Sequence, residues 1–120
     1  MFVRTDIPIA QQIVQSNHAA LEAGLAYGAA HHLAQTSSII LLAVKNEYQL
    51  LKAQAHVNSH NITTHAFFEP DAHLGYEPGF TAFATAPVAE ECRPLFKKIS
   101  TLEDERPLRC YHLRKFPSAN

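Results

Sequence analysis

Six consecutive apolar residues, Ile39 to Val44, stand between Ser37-Ser38 and Lys45-Asn46. The run has the length of one strand and is far short of the ~20 residues a membrane-spanning helix needs. It does not alternate apolar with polar, as a strand with one wet face would. A strand apolar on both faces needs cover on both, and parallel sheets packed between helices are where this occurs. The segments on either side must therefore supply helices.

They read that way. Met1 to Arg4 is a short apolar strand, central in the sheet. The chain turns at Asp6 to Pro8 and enters a helix rich in Ala and Gln, from about Ala10 to about Ala34, with Val14, His18, Leu21, Leu25 and Ala29 as its inward stripe. Gly24 and Gly28 each weaken that helix by roughly 1 kcal/mol relative to Ala, and small residues there suit a close approach to the sheet. Gln35 to Ser38 is a loop. After the second strand, Asn46 is an N-cap and Gln49 completes a capping box. The second helix runs to about Ser59 with Leu50, Ala53 or Gln54, and Val57 inward. Thr63 to Phe68 is a third strand, His65 and Phe67 alternating against Ala66 and Phe68. Glu69 to Gly79 is a long loop of the kind that often carries function.

Phe80 to Ala86 reads as a fourth strand, and Pro87 opens a third helix. Glu90 and Glu91 in its first turn and Lys97 and Lys98 in its last suit the helix dipole. Pro94 should kink that helix or split it after about Arg93. The order β-α-β-α-β-β-α predicts an α/β fold: a three-layer α/β/α sandwich around a four-stranded mixed sheet. The first units give parallel strands with right-handed crossovers, and the fourth strand, reached through a loop, is antiparallel. Residues 1–100 form one domain. Residues 101–120 are a C-terminal extension, polar at Glu103 to Arg106, in which Leu108 to Leu113 can add an edge strand.

Composition narrows the function. A net charge of −1 and a pI near 6.7 argue against a strongly basic nucleic-acid binder while leaving room for a local cationic patch. Two distant cysteines, Cys92 and Cys110, with no CxxC and no signal peptide, fit a reduced, cytoplasmic protein outside the membrane. The eight histidines lack metal-ligand spacing: His31-His32 are adjacent, and His56 and His60 have no acidic residue between them in HExxH fashion. No metal or cofactor is expected. Neither GxGxxG nor GxxxxGK[ST] occurs, so any chemistry must come from side chains.

Three stretches, RTDIPIAQQIVQSNHAALE, IILLAVKNEYQLL and FFEPDAHLGYEPGFTAFATAP, resemble in order and content the type II peptidyl-tRNA hydrolases, especially their shorter bacterial and phage-like relatives. The resemblance covers about residues 2 to 99. It rests on Arg4, Asp6, Gln15, His18 and Ala19 in the first motif, and on Lys45 and Glu47 in the second. In the third it rests on Asp71-Ala72, Pro78-Gly79 and Thr81. Gln11-Gln12 stand where typical members have the lysine implicated in catalysis, and the third motif is spaced differently. Glu69 is an alternative match for the loop acid.

The resemblance implies hydrolysis of the ester between a peptide and the terminal ribose of tRNA, with tRNA as partner. Family members often pair as homodimers, and Leu108 to Leu113 is a candidate contact. The reaction needs an activated water, an oxyanion donor and phosphate contacts. Asp71 or Glu69 would orient the water, Thr81 would donate a hydrogen bond, and Gln12 would donate without the charge of a lysine. His18 is the remaining catalytic candidate, while Arg4, Asp6 and Lys45 are the substrate-binding ones.

Each has a plainer reading. His18 can be a core histidine bonded to the sheet, Asp6 a cap of the turn or helix start, Asp71 a turn residue, and Thr81 a strand threonine. On the family scaffold, loss of the lysine also allows a non-catalytic binding or regulatory module.

Overall fold

The structure, a computed structural model, describes residues 1–29, 39–92, 94–96 and 110–113. It is an α/β fold whose elements run β1 (Phe2–Arg4), α1 (Ile9–Tyr27), β2 (Ile39–Val44), α2 (Glu47–Asn58), β3 (Thr64–Glu69), β4 (Gly79–Thr85) and β5 (Cys110–Leu113). The four expected strands form a mixed open sheet in the order β3-β4-β1-β2, and β5 extends it beyond β2. β1 and β2 are parallel, and β4 runs antiparallel to both β1 and β3. The expected edge strand in the tail is present and pairs antiparallel with β2, Ile39 opposite Leu113 and Leu42 opposite Cys110.

Helices pack on both faces of the sheet, but β2 is buried only over Leu42–Val44; Ile40 and Leu41 are half-buried and Ile39 is exposed, so the expectation of a strand buried on both faces holds for the second half of the run alone. On one face Phe2, Leu42, Val44 and Phe83 pack with Leu50, Ala53 and Val57 of α2. Phe2 and Phe83 stack with ring centroids 4.5 Å apart. On the other face Val3, Ala82 and Ala84 meet Ala19 and Ala23 of α1. Neighbouring residues of one strand, Phe2 and Val3 or Phe83 and Ala82, thus serve opposite faces, as the two-residue period dictates.

α2 begins as its sequence says: the Asn46 side chain accepts from the Gln49 N–H at 2.9 Å, satisfying one of the donors a helix start leaves unpaired. Asn61, at φ 60°, turns the chain in the left-handed region between α2 and β3.

α1 corrects the sequence reading. The stripe Val14, His18, Leu21 and Leu25 is exposed, and the helix instead buries Gln15, Ser16, Ala19 and Ala23. The sheet beneath explains the inversion. Its α1 face is lined by Ala82, Ala84 and Thr81, which leave room only for small side chains at close approach and offer a polar partner at one end. That approach is made by Ala19 and Ala23, not by the glycines. Gly24 is exposed, and a Cβ there would have no neighbour within 4 Å.

Two further boundaries differ. α1 starts at Ile9 with Pro8 in the cap position and no side-chain cap. The third helix is a 3₁₀ turn at Glu90–Cys92 followed by helical residues 94–96, the division that Pro94 demands. The expectations for Ala30 to Ser38, His31-His32, Arg93, Lys97-Lys98, Glu103 to Arg106 and the remainder of the tail lie outside the described residues.

Candidate functional site

Polar side chains gather at the carboxyl ends of β1 and β3, where the antiparallel β4 begins and α1 starts. In open α/β sheets this is the end at which ligands bind. Two sub-assemblies meet there.

The first is a clamp on the entry to β4. Arg4, buried at the end of β1, donates to both carboxylate oxygens of Asp6, Nε to Oδ1 at 2.8 Å and Nη2 to Oδ2 at 3.0 Å. Its Nη1 reaches the carbonyls of Phe80 at 3.2 Å and Pro78 at 3.5 Å. From the other side Glu47, in the first turn of α2, accepts from the Phe80 N–H at 2.7 Å. Gly79 makes this possible: its φ is +114°, and a Cβ would collide with the Glu47 carboxylate. The glycine of the Pro78-Gly79 pair therefore serves both conformation and space.

The second is a relay from β4 to the surface. The bulge that starts it lies between Phe67 and Phe68 in the β3–β4 register. Phe67 faces Ala82 and Phe68 faces Phe80, so Thr81 is the extra residue. Strict alternation from Ala82 would turn Phe80 toward α1 and Thr81 toward α2. The bulge reverses this. Phe80 packs with the α2-side cluster, and Thr81, fully buried, donates its hydroxyl to the Gln15 Oε1 at 2.7 Å. With its oxygen so held, Gln15 aims Nε2 at the Glu69 carboxylate at 3.0 Å and at the Tyr76 hydroxyl at 3.1 Å, with Gln11 Oε1 at 3.4 Å. Tyr76 donates to Gln11 Oε1 at 3.3 Å. The second Glu69 oxygen accepts from the Asp71 N–H at 3.0 Å.

Burial above all, and then the Glu69 carboxylate, raise the pKa of the Tyr76 phenol above its ordinary value, with Arg4 opposing. Tyr76 is therefore a protonated donor throughout the neutral range. Among the described residues no buried side-chain nitrogen or oxygen lacks a hydrogen-bond partner.

The residues singled out from sequence fall into three groups. Thr81 and Glu69 are brought together through Gln15. Arg4 and Asp6 are paired with each other, and Asp6 caps no helix. The side chains of the remainder make no hydrogen bond to Thr81, Gln15 or Glu69, although the Asp71 backbone N–H donates to Glu69. Asp71 is exposed and accepts from the His73 N–H, and the Gln12 amide donates to the Ile7 carbonyl at 2.9 Å. Lys45 is exposed. His18 is exposed and stacks on Phe67 at 4.5 Å, so it is not a core histidine bonded to the sheet backbone. It belongs to a row in which His65, Phe67 and Glu69 of β3 meet Glu22, His18 and Gln15 of α1.

Gln15 as the centre of the relay, Tyr76, Gln11 and the Glu47 contact were not expected as site residues. Gln15 lies on the same helix face as His18, and Tyr76 lies inside the loop already singled out. The bulge that selects them leaves no mark in the sequence.

Among the described residues no group of three or more His, Cys, Asp or Glu is placed to hold a metal ion, and no helix is long and apolar enough to cross a membrane. The rings of His56 and His60 lie 4.9 Å apart on α2 and its end, with His60 Nδ1 against the His56 carbonyl. No protein-family model matches the chain, and comparison with curated proteins and with solved structures found no match.

Proposed function

We propose that the chain is a metal-free ester hydrolase of the peptidyl-tRNA hydrolase type, acting in the cytoplasm, with a family-like three-layer sandwich as its scaffold. The observation that supports this most is the orientation of Glu69 by Gln15, itself held by buried Thr81. A half-buried carboxylate fixed by two donors can hold a water and accept its proton as that water attacks an ester carbonyl. Tyr76 supplies a neutral hydroxyl beside it, able to donate to a developing oxyanion or to the leaving ribose oxygen. Lys45, exposed after β2, suits a phosphate contact. Arg4 is engaged by the β4 clamp, so its role is to hold the site's frame.

The experiment is release of free tRNA from purified peptidyl-tRNA. Wild type should turn over, and Glu69→Gln should lose about 10²–10⁴-fold, the usual share of a general base. Asp71→Ala should lose far less. Turnover untouched in Glu69→Gln would move the site elsewhere.

A second reading, a binding or regulatory module on the same scaffold, is favoured by one observation. The amide of Gln12, one of the two residues standing where the resemblance puts the family lysine, and the guanidinium of Arg4 donate to protein groups. Absence of turnover in folded wild type, with retained tRNA binding, would establish that reading.

A further inference from the structure

His56 lies in the last turn of α2 and His60 just beyond its end, their ring centres 4.9 Å apart and the rings tilted by 56°. We infer that this pair is a metal site, a chelate of two imidazoles for a late first-row divalent cation, Cu²⁺ ahead of Ni²⁺ and Zn²⁺ in the usual order of affinities. The pair stands roughly 14 Å along the helix axis from Glu47, so the inference does not depend on the hydrolase reading. The lack of an acid between the two, which removes an HExxH site, leaves such a chelate untouched.

Three observations carry it. The first is spacing. Two imidazoles on one ion, each nitrogen about 2.0–2.1 Å from it, set their ring centres roughly 4.5–5.2 Å apart between right-angled and tetrahedral geometry. The observed separation falls inside that range. No Asp or Glu occurs between Tyr48 and Phe68, so the contact is not the by-product of an ion pair from a neighbouring position. The carbonyl end of α2 is also the negative pole of the helix, which favours a cation.

The second is the tautomer of His60. Its Nδ1 lies 3.0 Å from the His56 carbonyl and 3.2 Å from the Ser59 hydroxyl oxygen, and that hydroxyl donates its own proton to the same carbonyl at 2.6 Å. Both neighbours of Nδ1 are therefore acceptors, and the ring proton belongs on Nδ1. The lone pair is left on Nε2. A ligating histidine is held this way, by a backbone carbonyl on its far nitrogen. Among the described residues no hydrogen bond engages a ring nitrogen of His56, so either can turn to the ion.

The third is the platform. Val57, between the two histidines, is fully buried in the α2-side core. The Ser59 N–H bonds to the Ala55 carbonyl at 3.0 Å and the His60 N–H to the Val57 carbonyl at 3.1 Å. Thr64 of β3 donates to Asn58 Oδ1 at 2.8 Å and accepts from Gln54 Nε2 at 3.0 Å, tying the end of α2 to the sheet. The backbone that carries both ligands is thus set before any ion arrives, which lowers the cost of chelation.

The test is calorimetric titration of the full, untagged chain with Ni²⁺, and electron paramagnetic resonance with Cu²⁺ on a chain carrying Cys92→Ser and Cys110→Ser, since thiols reduce Cu²⁺. Wild type should bind Ni²⁺, and His56→Ala and His60→Ala should each weaken that site at least tenfold. The Cu²⁺ spectrum should show two nitrogen ligands, reduced to one or none by either substitution. Ser59→Ala, which removes one acceptor from Nδ1, should weaken binding severalfold, and His73→Ala should leave it unchanged. Ni²⁺ should raise the urea midpoint of wild type more than that of His56→Ala, because the ion holds the folded turn.

No binding of either ion by wild type overturns the inference. Binding that survives both histidine substitutions also overturns it and moves the metal to other groups. Loss in only one of the two variants reduces the site to a single imidazole and overturns the chelate.

Discussion

Thr81 gives its hydroxyl proton to the Gln15 amide oxygen over 2.7 Å, joining the bulge of β4 to α1 with both side chains out of water. Thr81→Val keeps the shape and removes the donor, leaving a buried carbonyl oxygen unpaired. The variant should lose about 1–3 kcal/mol, read as a lower urea midpoint, while Thr81→Ser stays near wild type. If Gln15 positions Glu69, ester turnover should fall in the valine variant and return in the serine one.

The Arg4–Asp6 pair is buried on the arginine side and over a third exposed on the aspartate side. Asp6→Ala strands a buried guanidinium with carbonyls as its remaining partners. The expected cost is roughly 1–3 kcal/mol, below the 3–5 of a wholly buried pair because solvent reaches the carboxylate. Denaturant unfolding measures it.

Gly79→Ala faces two obstacles, a φ of +114° and the Glu47 carboxylate. A loss of about 1–3 kcal/mol is expected from the backbone alone, with more from displacement of Glu47. Adding Glu47→Ala should cost less in the alanine background than in wild type, since the contact it removes is already broken there. A double-mutant cycle reads this coupling directly.

Tyr76 should titrate above the ordinary phenol value of about 10 when the phenolate absorbance lost in a Tyr76→Phe control is followed, and Glu69→Gln should lower its midpoint. The folded-state value is the raised one. Its contribution to stability is therefore complete below the unfolded phenol's pKa of about 10 and is lost as pH rises through the folded value.

The inverted face of α1 gives a fifth expectation. Ala19→Leu should overpack the Ala82–Ala84 surface and cost about 1–3 kcal/mol. Leu25→Gln, at an exposed position, should stay within about 0.5 kcal/mol. The reverse order would restore the apolar stripe as the buried one.

The helices and strands were legible because their signals are local: an unbroken apolar run for β2, a cap and its partner for α2, alternation for β3. The orientation of α1 was not. Hydrophobic periodicity finds the apolar face, and here the buried face is the one with small and amide side chains, selected by alanines on strands far along the chain. The site divides in the same way. Glu69, Thr81, Arg4 and Asp6 carry motif signals, whereas Gln15 and Tyr76 enter through the one-residue bulge at Thr81, a matter of register between two strands.

The pairing of β5 with β2 sets a timetable for biosynthesis. Ile39 to Leu42 find their antiparallel partners roughly seventy residues later, so at ~5–20 residues per second the outer edge of β2 waits several seconds uncovered on the ribosome. An apolar strand edge left open is a template for pairing with other chains. Cys110–Leu113 therefore acts as a closing seam, and premature termination upstream of it should yield a product that aggregates even though β1 to β4 are complete.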